Sequence, residues 1–207
     1  MGSSEDDREV FDNEKPRHQV QFTCGFWLFD MPCTQALWQV VMGTNPSRFQ
    51  GANRPVEKVS WEDCQEFITQ LNEKFLGLSL RLPTEAQWEY ACRAGTETPR
   101  YAENLDAIAW YNKNSKGQTQ PVKQKQPNTW GLYDMLGNVL EWCHDGLRMY
   151  SSTASITDPL GPIDAGAGRA IRGGYWDSVA QVVRAAFRFE DHRVFRYGNL
   201  SFRCASS

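Results

Sequence analysis

Apolar positions recur at intervals of three and four along residues 61–75, which predicts an amphipathic helix. The apolar stripe consists of Trp61, Cys64, Phe67, Ile68, Leu71 and Phe75. Ser60 is the predicted N-cap, because its hydroxyl can accept a hydrogen bond from a free amide of the first turn. Gly77 is the predicted end. Such a stripe is typical of a helix that packs on a core.

A second helix is predicted to begin after Thr84, which forms a capping box with Gln87, and to end at Gly95. Its inward positions are Trp88, Ala91 and Cys92. A shorter helix is predicted between Thr34 and Gly43, with Leu37, Trp38 and Val41 as its apolar positions. Both longer helices need a surface to pack on, and a sheet is the expected partner.

Extended pieces and loops make up the rest of the pattern. Short strands or extended segments are predicted at residues 18–23, 25–29, 80–82 and 139–142. Residues 96–128 show no strong periodicity and are predicted to form a long loop anchored by Trp110 and Tyr111. Residues 147–168 are rich in Ser, Thr, Gly, Ala and Pro, which favours a surface excursion. The pattern as a whole predicts an α+β domain.

Composition and charge narrow the function classes. The chain has 207 residues, 41% hydrophobic and 23% charged, so residues 1–207 are expected to form one globular domain. A net charge of −3 argues against a nucleic-acid binder that works by neutralising phosphates. No apolar run is long enough for a transmembrane helix. The first residues are acidic and carry no apolar signal-peptide region.

Cysteine and histidine positions give little support for a metal or nucleophilic site. None of the six cysteines is in C-x-x-C spacing, which argues against a zinc ribbon, and their pairing is left open. His18, His144 and His192 are isolated in sequence. Cys143, His144 and Asp145 are adjacent, but neighbours in a strand point to opposite faces, which argues against a catalytic dyad.

The final segment, residues 169–204, combines arginines with aromatic side chains. Five arginines frame it, namely Arg172, Arg184, Arg188, Arg196 and Arg203. No lysine occurs after Lys125. Arginine with exposed aromatics is typical of a recognition surface. The alternative is an arginine-rich final sheet whose aromatics belong to the core.

Several motifs in order resemble the formylglycine-generating enzyme (sulfatase-modifying factor) family. They lie at residues 34–38, 42–49, 55–63, 81–95, 131–142, 172–176 and 201–203. The resemblance covers nearly the whole chain. It implies a C-type-lectin-like fold, with a small twisted antiparallel sheet, two helices and a large share of irregular loop.

The family's activity is not expected to carry over. The resemblance implies that the enzymes oxidise a sulfatase cysteine with a copper-binding cysteine pair, and soft thiolates suit Cu(I). The matching window here, residues 177–183, contains no cysteine, and Cys204 stands alone in this part of the chain. We therefore expect a non-catalytic protein without a cofactor. The alternative is an enzyme or accessory domain of the same family with a non-standard active site.

Departures within the final segment resemble a different class, the variable proteins of diversity-generating retroelements. Tyr175 stands where the family usually has serine, and Arg193 where proline is common, while the framing arginines and Trp176 are kept. Variable proteins display ligand-binding residues on this same fold, and their mutagenesis acts at template adenines. Most residues between the arginines are reachable from such codons, but Gln181 and Glu190 are not.

This second resemblance implies a diversified surface that binds protein ligands. The implied ligand-binding residues are Tyr175, Asp177, Ser178, Val179, Phe187, Phe189, Asp191, His192, Val194, Phe195, Tyr197 and Asn199. The five aromatics among them are expected to be exposed in one patch. The resemblance also implies display at a bacterial surface or secretion.

Asn138 and Glu141 are candidates for calcium binding, since the family can ligate calcium here through hard oxygen ligands. The alternative is a buried Glu141 bonded to a nearby arginine or to backbone amides.

Overall fold

The computed structural model describes residues 1–4, 9–152, 155–164, 166 and 168–206. The helices are α1 (Gln35–Met42), α2 (Trp61–Lys74), α3 (Glu85–Arg93) and α4 (Leu105–Ile108). The strands are β1 (Val20–Gln21), β2 (Trp27–Leu28), β3 (Leu140–Trp142), β4 (Ile156–Thr157), β5 (Arg169–Arg172), β6 (Arg188–Asp191), β7 (Leu200–Ser201) and β8 (Ala205–Ser206). None of the described helices is long and apolar enough to cross a membrane.

The predicted helix starts are confirmed, and one helix end is corrected. In α2 the Ser60 hydroxyl accepts from the Asp63 amide at 3.1 Å, and the Asp63 carboxylate accepts from the Ser60 amide at 2.8 Å. Thr84 caps α3 through the Gln87 amide at 3.2 Å. The prediction that Phe75 lies on the buried stripe is wrong. Helix α2 ends at Lys74, so Phe75 leaves the helical path and its side chain is exposed.

The extended pieces are confirmed in part. Three of the four predicted pieces contain strands, β1, β2 and β3, each shorter than predicted. In the fourth piece, Arg81 forms an isolated antiparallel bridge with Ala205. The predicted loop at 96–128 contains the short helix α4, and the buried Tyr111 donates its hydroxyl to Asp106 at 2.6 Å. The excursion at 147–168 contributes β4, and part of it lies outside the described residues.

A four-stranded sheet with the order β6-β5-β3-β7 lies at the centre of the fold. Strand β5 is antiparallel to both β3 and β6, whereas β7 runs parallel to β3. The α+β class is therefore confirmed, but the sheet is mixed, where an antiparallel sheet was predicted. Strand β7 runs parallel to β3 because the chain crosses from β6 at one edge of the sheet to the opposite edge, where β7 pairs with β3.

The sheet separates two apolar clusters. One contains residues of α1 and α2, where Trp38 stacks on Phe67 with ring centroids 5.3 Å apart. The other contains residues of α3, including Trp88 and Cys92. Trp142 of β3 belongs to the first cluster and the adjacent Cys143 to the second, as expected for neighbours that point to opposite faces. The sheet thus receives helical packing on both sides.

Candidate ligand-binding surface

Four of the five arginines that frame residues 169–204 are buried and paired with glutamates. The pairs are Arg172 with Glu89, Arg184 with Glu14, Arg188 with Glu85, and Arg203 with Glu141. The four guanidinium side chains are at most 1% exposed, and we call these pairs the arginine network. The glutamates all lie upstream of the segment, so the pairs fasten it to earlier parts of the fold.

The two buried glutamates that face Arg172 have pKa values shifted in opposite directions. Burial opposes ionisation of Glu89, but Arg172 and Arg93 outweigh it and hold the pKa of Glu89 at about 2. Burial raises the pKa of Glu85 above its usual value, although Arg172 and Arg188 oppose the shift. Glu89 is therefore firmly ionised at neutral pH.

Asn138 and Glu141, the calcium candidates, already have protein partners at their polar atoms. Both carboxylate oxygens of Glu141 accept from Arg203, at 2.7 and 2.8 Å, and one of them also accepts from the Trp88 indole at 2.7 Å. The Asn138 side chain accepts from the amide of Gln120 and donates to its carbonyl. This is the alternative arrangement, with a buried Glu141 bonded to an arginine. Among the described residues, no group of three or more His, Cys, Asp or Glu side chains is arranged to hold a metal ion.

Trp176 and the glycines before it hold the exposed part of the segment in place. The Trp176 indole donates to the Gly198 carbonyl at 3.1 Å, and its amide donates to the Asn138 carbonyl at 3.0 Å. Gly173 has a φ of 104°, and a Cβ there would lie 3.2 Å from the ring of Trp88. Glycine is therefore needed at the turn that leads out of β5. These residues therefore serve as scaffold for the exposed part of the segment.

The predicted ligand-binding residues fall into three groups by exposure. The exposed group is Asp177, Val179, Phe189, His192, Val194, Phe195 and Tyr197. Tyr175, Phe187, Asp191 and Asn199 are half-buried. Ser178 is buried, and its hydroxyl accepts from the Tyr175 amide at 3.0 Å.

The expectation that five aromatics are exposed together holds for three of them. Phe189, Phe195 and Tyr197 are 50%, 46% and 42% exposed. Tyr175 and Phe187 are only half-buried and lie outside both apolar clusters. Phe187 packs edge-on against Phe11 at 5.9 Å, and that contact explains its lower exposure.

A cavity of about 370 Å³ lies in the middle of this surface, and we call it the display cavity. Its lining is Leu140, Ile171, Tyr175, Ser178, Val182, Phe187, Phe189, Asp191, Tyr197, Asn199 and Leu200. Seven of these eleven were predicted as ligand-binding residues. Phe189 and Asp191 face the cavity. Arg188, which precedes Phe189 in β6, points to the other side of the sheet, because side chains alternate along a strand.

The floor and one wall of the display cavity are formed by residues that the sequence did not predict as ligand-binding. Leu140, Ile171 and Leu200 come from three strands of the central sheet, and Val182 comes from the turn after Ser178. Apolar residues such as these are expected in the hydrophobic core, and they are equally suited to the floor of a cavity. No further signal in the sequence distinguishes the two.

An aromatic ridge borders the display cavity. The His192 and Phe195 rings are 6.1 Å apart, and the Phe195 and Tyr197 rings 5.9 Å apart. Partial desolvation and the hydrogen bond to the Asp191 carboxylate raise the pKa of Tyr197. A rigid aromatic ridge supplies contact area at a low cost in side-chain entropy.

The cysteines do not form a reactive pair on this surface. All six are free thiols, of which five are buried and Cys24 is exposed. Burial raises the pKa of the Cys92 and Cys204 thiols to about 12, and it raises those of Cys33, Cys64 and Cys143 as well. The Asp145 carboxylate accepts from the amides of Glu85 and Gly161, so it is used in structural contacts.

Comparison with known proteins defines the class. The family model of the sulfatase-modifying factor enzyme 1-like domain matches residues 1–207, and the chain belongs to this family. The formylglycine-generating enzyme of Streptomyces coelicolor is 35% identical over 82% of this chain and 60% of its own length. The enzyme of Mus musculus is 32% identical over 91% of this chain and 53% of its own length. The chain thus spans about half to three-fifths of these relatives.

Solved structures share the fold over nearly the whole chain. Treponema denticola variable protein 1 is 32% identical, with a TM-score of 0.88, and the match covers 99% of this chain and 90% of that one. PvdO from Pseudomonas aeruginosa is 25% identical, with a TM-score of 0.87, and the match covers 100% and 90%. The U1 variant of the Major Tropism Determinant, at 13% identity and a TM-score of 0.54, shares the fold alone. The predicted C-type-lectin-like fold and the resemblance to variable proteins are confirmed.

Proposed function

We propose that this protein is a non-catalytic display protein that binds a protein ligand through a diversified surface around the display cavity. One observation carries the proposal. Within residues 169–204, seven of the predicted variable positions line a single cavity, while Arg172, Arg184, Arg188 and Arg203 are buried in ion pairs. This separation lets the surface change while the scaffold stays constant. Similarity to Treponema denticola variable protein 1 supports the same class.

Thiol chemistry provides a test against the enzymatic alternative. Thiolates are the form that binds Cu(I), and burial holds five of the six thiols in the protonated form at neutral pH. We expect DTNB to modify only Cys24 in the native protein and all six thiols after denaturation. We also expect Cu(I), added in competition with a chelator, to leave the native protein without stoichiometric metal. Stoichiometric copper bound by two rapidly reacting thiols would favour the enzyme.

Population sequencing tests the diversified surface directly. We expect substitutions among related cells to cluster at codons for cavity and ridge positions such as Phe189, Asp191 and Tyr197. Codons for Arg172, Gly173 and Arg203 should stay constant. A nearby reverse transcriptase gene and an adenine-rich near-copy of the 3′ end are expected as well. Variation spread evenly along residues 169–204, without such a copy, would contradict the proposal.

The proposal extends to location. A display protein has to meet its ligand, so we place this protein at a bacterial surface or outside the cell. Labelling intact cells with a membrane-impermeant biotin reagent, with a cytoplasmic protein as the control, measures this directly.

A further inference from the structure

Asp191 is the one charged side chain in the lining of the display cavity. The other lining residues are aliphatic, aromatic or neutral polar, and the floor of Leu140, Ile171 and Leu200 is buried or nearly so. Asp191 itself is half-buried, so part of its hydration is already lost. The cavity therefore combines an apolar interior with a single negative charge on its wall.

The carboxylate of Asp191 is held by neutral donors rather than by a cation. It accepts from the His192 amide at 2.8 Å and interacts with the Tyr197 phenol, and both of these donors are neutral. Among the residues that the structure describes, no lysine or arginine forms an ion pair with Asp191. A carboxylate that is held by neutral donors beside an apolar cavity is complementary to an external cation.

The nearby arginines are not available for this role. Arg193 pairs with Glu62 at 3.1 Å, and Arg196 pairs with Asp63 at 2.7 Å, both on α2. Arg169, which lies opposite Asp191 in the register of β5 and β6, donates instead to the backbone carbonyls of Ile163 and Gly168 and lies over the ring of Trp61. The local field favours a positively charged group on the ligand.

We propose that the display cavity receives a lysine or arginine side chain of the protein ligand. This inference rests on the proposed function and names the chemistry of its contact. The methylene stem of such a side chain suits the apolar floor and the face of Phe189, while its charged head suits Asp191. The rings of Tyr175 and Tyr197, which also line the cavity, attract a cation through their π-faces.

Other occupants fit the cavity less well. A neutral apolar side chain would remove water from Asp191 without supplying a counter-charge, and that desolvation is costly. An acidic side chain would be repelled by the same carboxylate. A basic side chain alone satisfies both the apolar floor and the charge.

Panning a phage-displayed library of random peptides on the purified full chain tests the inference. Asp191→Asn removes the charge from the cavity with little change in shape. Glu190→Gln is the matched control, because Glu190 is the exposed neighbour in β6 on the opposite face from the cavity. We expect the selected peptides to be enriched in lysine or arginine and to bind Asp191→Asn about tenfold more weakly or worse. Their affinity for Glu190→Gln should stay within about twofold of the wild type.

The outcomes separate this inference from the proposed function. Peptides that need Phe189 and Tyr197 but are not enriched in basic residues, and that bind Asp191→Asn as well as the wild type, would overturn the inference and leave the display surface intact. Peptides that bind equally well after Phe189→Asn and Tyr197→Asn would contradict the display surface itself. Replacing the basic residue of a selected peptide by norleucine should lower affinity as Asp191→Asn does, and no further loss is expected when both changes are combined.

Discussion

The arginine network and the display cavity come from the same short segment but obey opposite physical rules. In β6, Arg188 is buried against Glu85, while the next residue, Phe189, is half-exposed and lines the cavity. The position of Arg188 requires a cationic side chain, because the buried carboxylate of Glu85 needs a positive charge beside it. Phe189 faces solvent and can change with little effect on the fold. Adjacent positions thus belong separately to the buried scaffold and to the proposed recognition surface.

This contrast explains how one fold could tolerate a diversified surface. Ion pairs with upstream glutamates and packing in the two apolar clusters tie residues 169–204 to the rest of the fold. Little of this attachment depends on contacts between the displayed side chains themselves. Substitutions that make the same chemical change in the arginine network and on the exposed surface test this difference.

The largest expected effect comes from breaking one buried pair. Arg203→Met leaves Glu141 buried with only the Trp88 indole as a hydrogen-bond donor. Removing one partner of a buried ion pair typically costs about 3–5 kcal/mol, so we expect a loss of that size in the free energy of unfolding. Urea unfolding followed by tryptophan fluorescence measures it.

Arg196→Met is the matched control, with the same change of side chain and charge in the same segment. Arg196 is about half exposed in its pair with Asp63, and exposed pairs contribute about 0–1 kcal/mol. Equal losses for the two variants would show that burial does not distinguish the network from the surface.

The next largest effect is expected in the pH dependence of stability, through the buried carboxylate of Asp134. Burial is the main cause that raises the pKa of Asp134 to about 6, and one of its oxygens has no hydrogen-bond partner. Because the folded state then holds a proton that the unfolded state releases near pH 4, stability falls as the pH rises from about 4 to about 6. The size is about 2–3 kcal/mol.

Asp134→Asn should remove this dependence, so the loss of unfolding free energy between pH 4 and pH 7 should be smaller than in the wild type. Asn also suits the left-handed backbone at this position, where φ is 51°. An Asp134→Asn profile that is parallel to the wild type would contradict a raised pKa for Asp134.

Local signals in the sequence were sufficient for the helices and the scaffold, and insufficient for the cavity. Ser60 and Thr84 are confirmed as caps because capping depends on residues only three positions apart. The parallel pairing of β3 with β7 and the floor of the display cavity depend on contacts between distant residues. Phe187 and Phe189 have the same chemistry in the sequence and different environments in the fold. Both rings line the same cavity, and Phe187 is the less exposed because Phe11, distant in the sequence, packs against it.

The smallest expected effect is on the display surface. Phe189→Asn and Phe195→Asn should each change the free energy of unfolding by less than about 1 kcal/mol, because both residues are about half exposed in the folded protein. Phe202→Asn is the matched control in the same segment. Phe202 is fully buried against Phe67 and Trp38, and losing a buried phenylalanine costs about 3–5 kcal/mol. If Phe189→Asn destabilised the protein as much as Phe202→Asn, the displayed aromatics would belong to the core, and the separation of recognition from stability would fail.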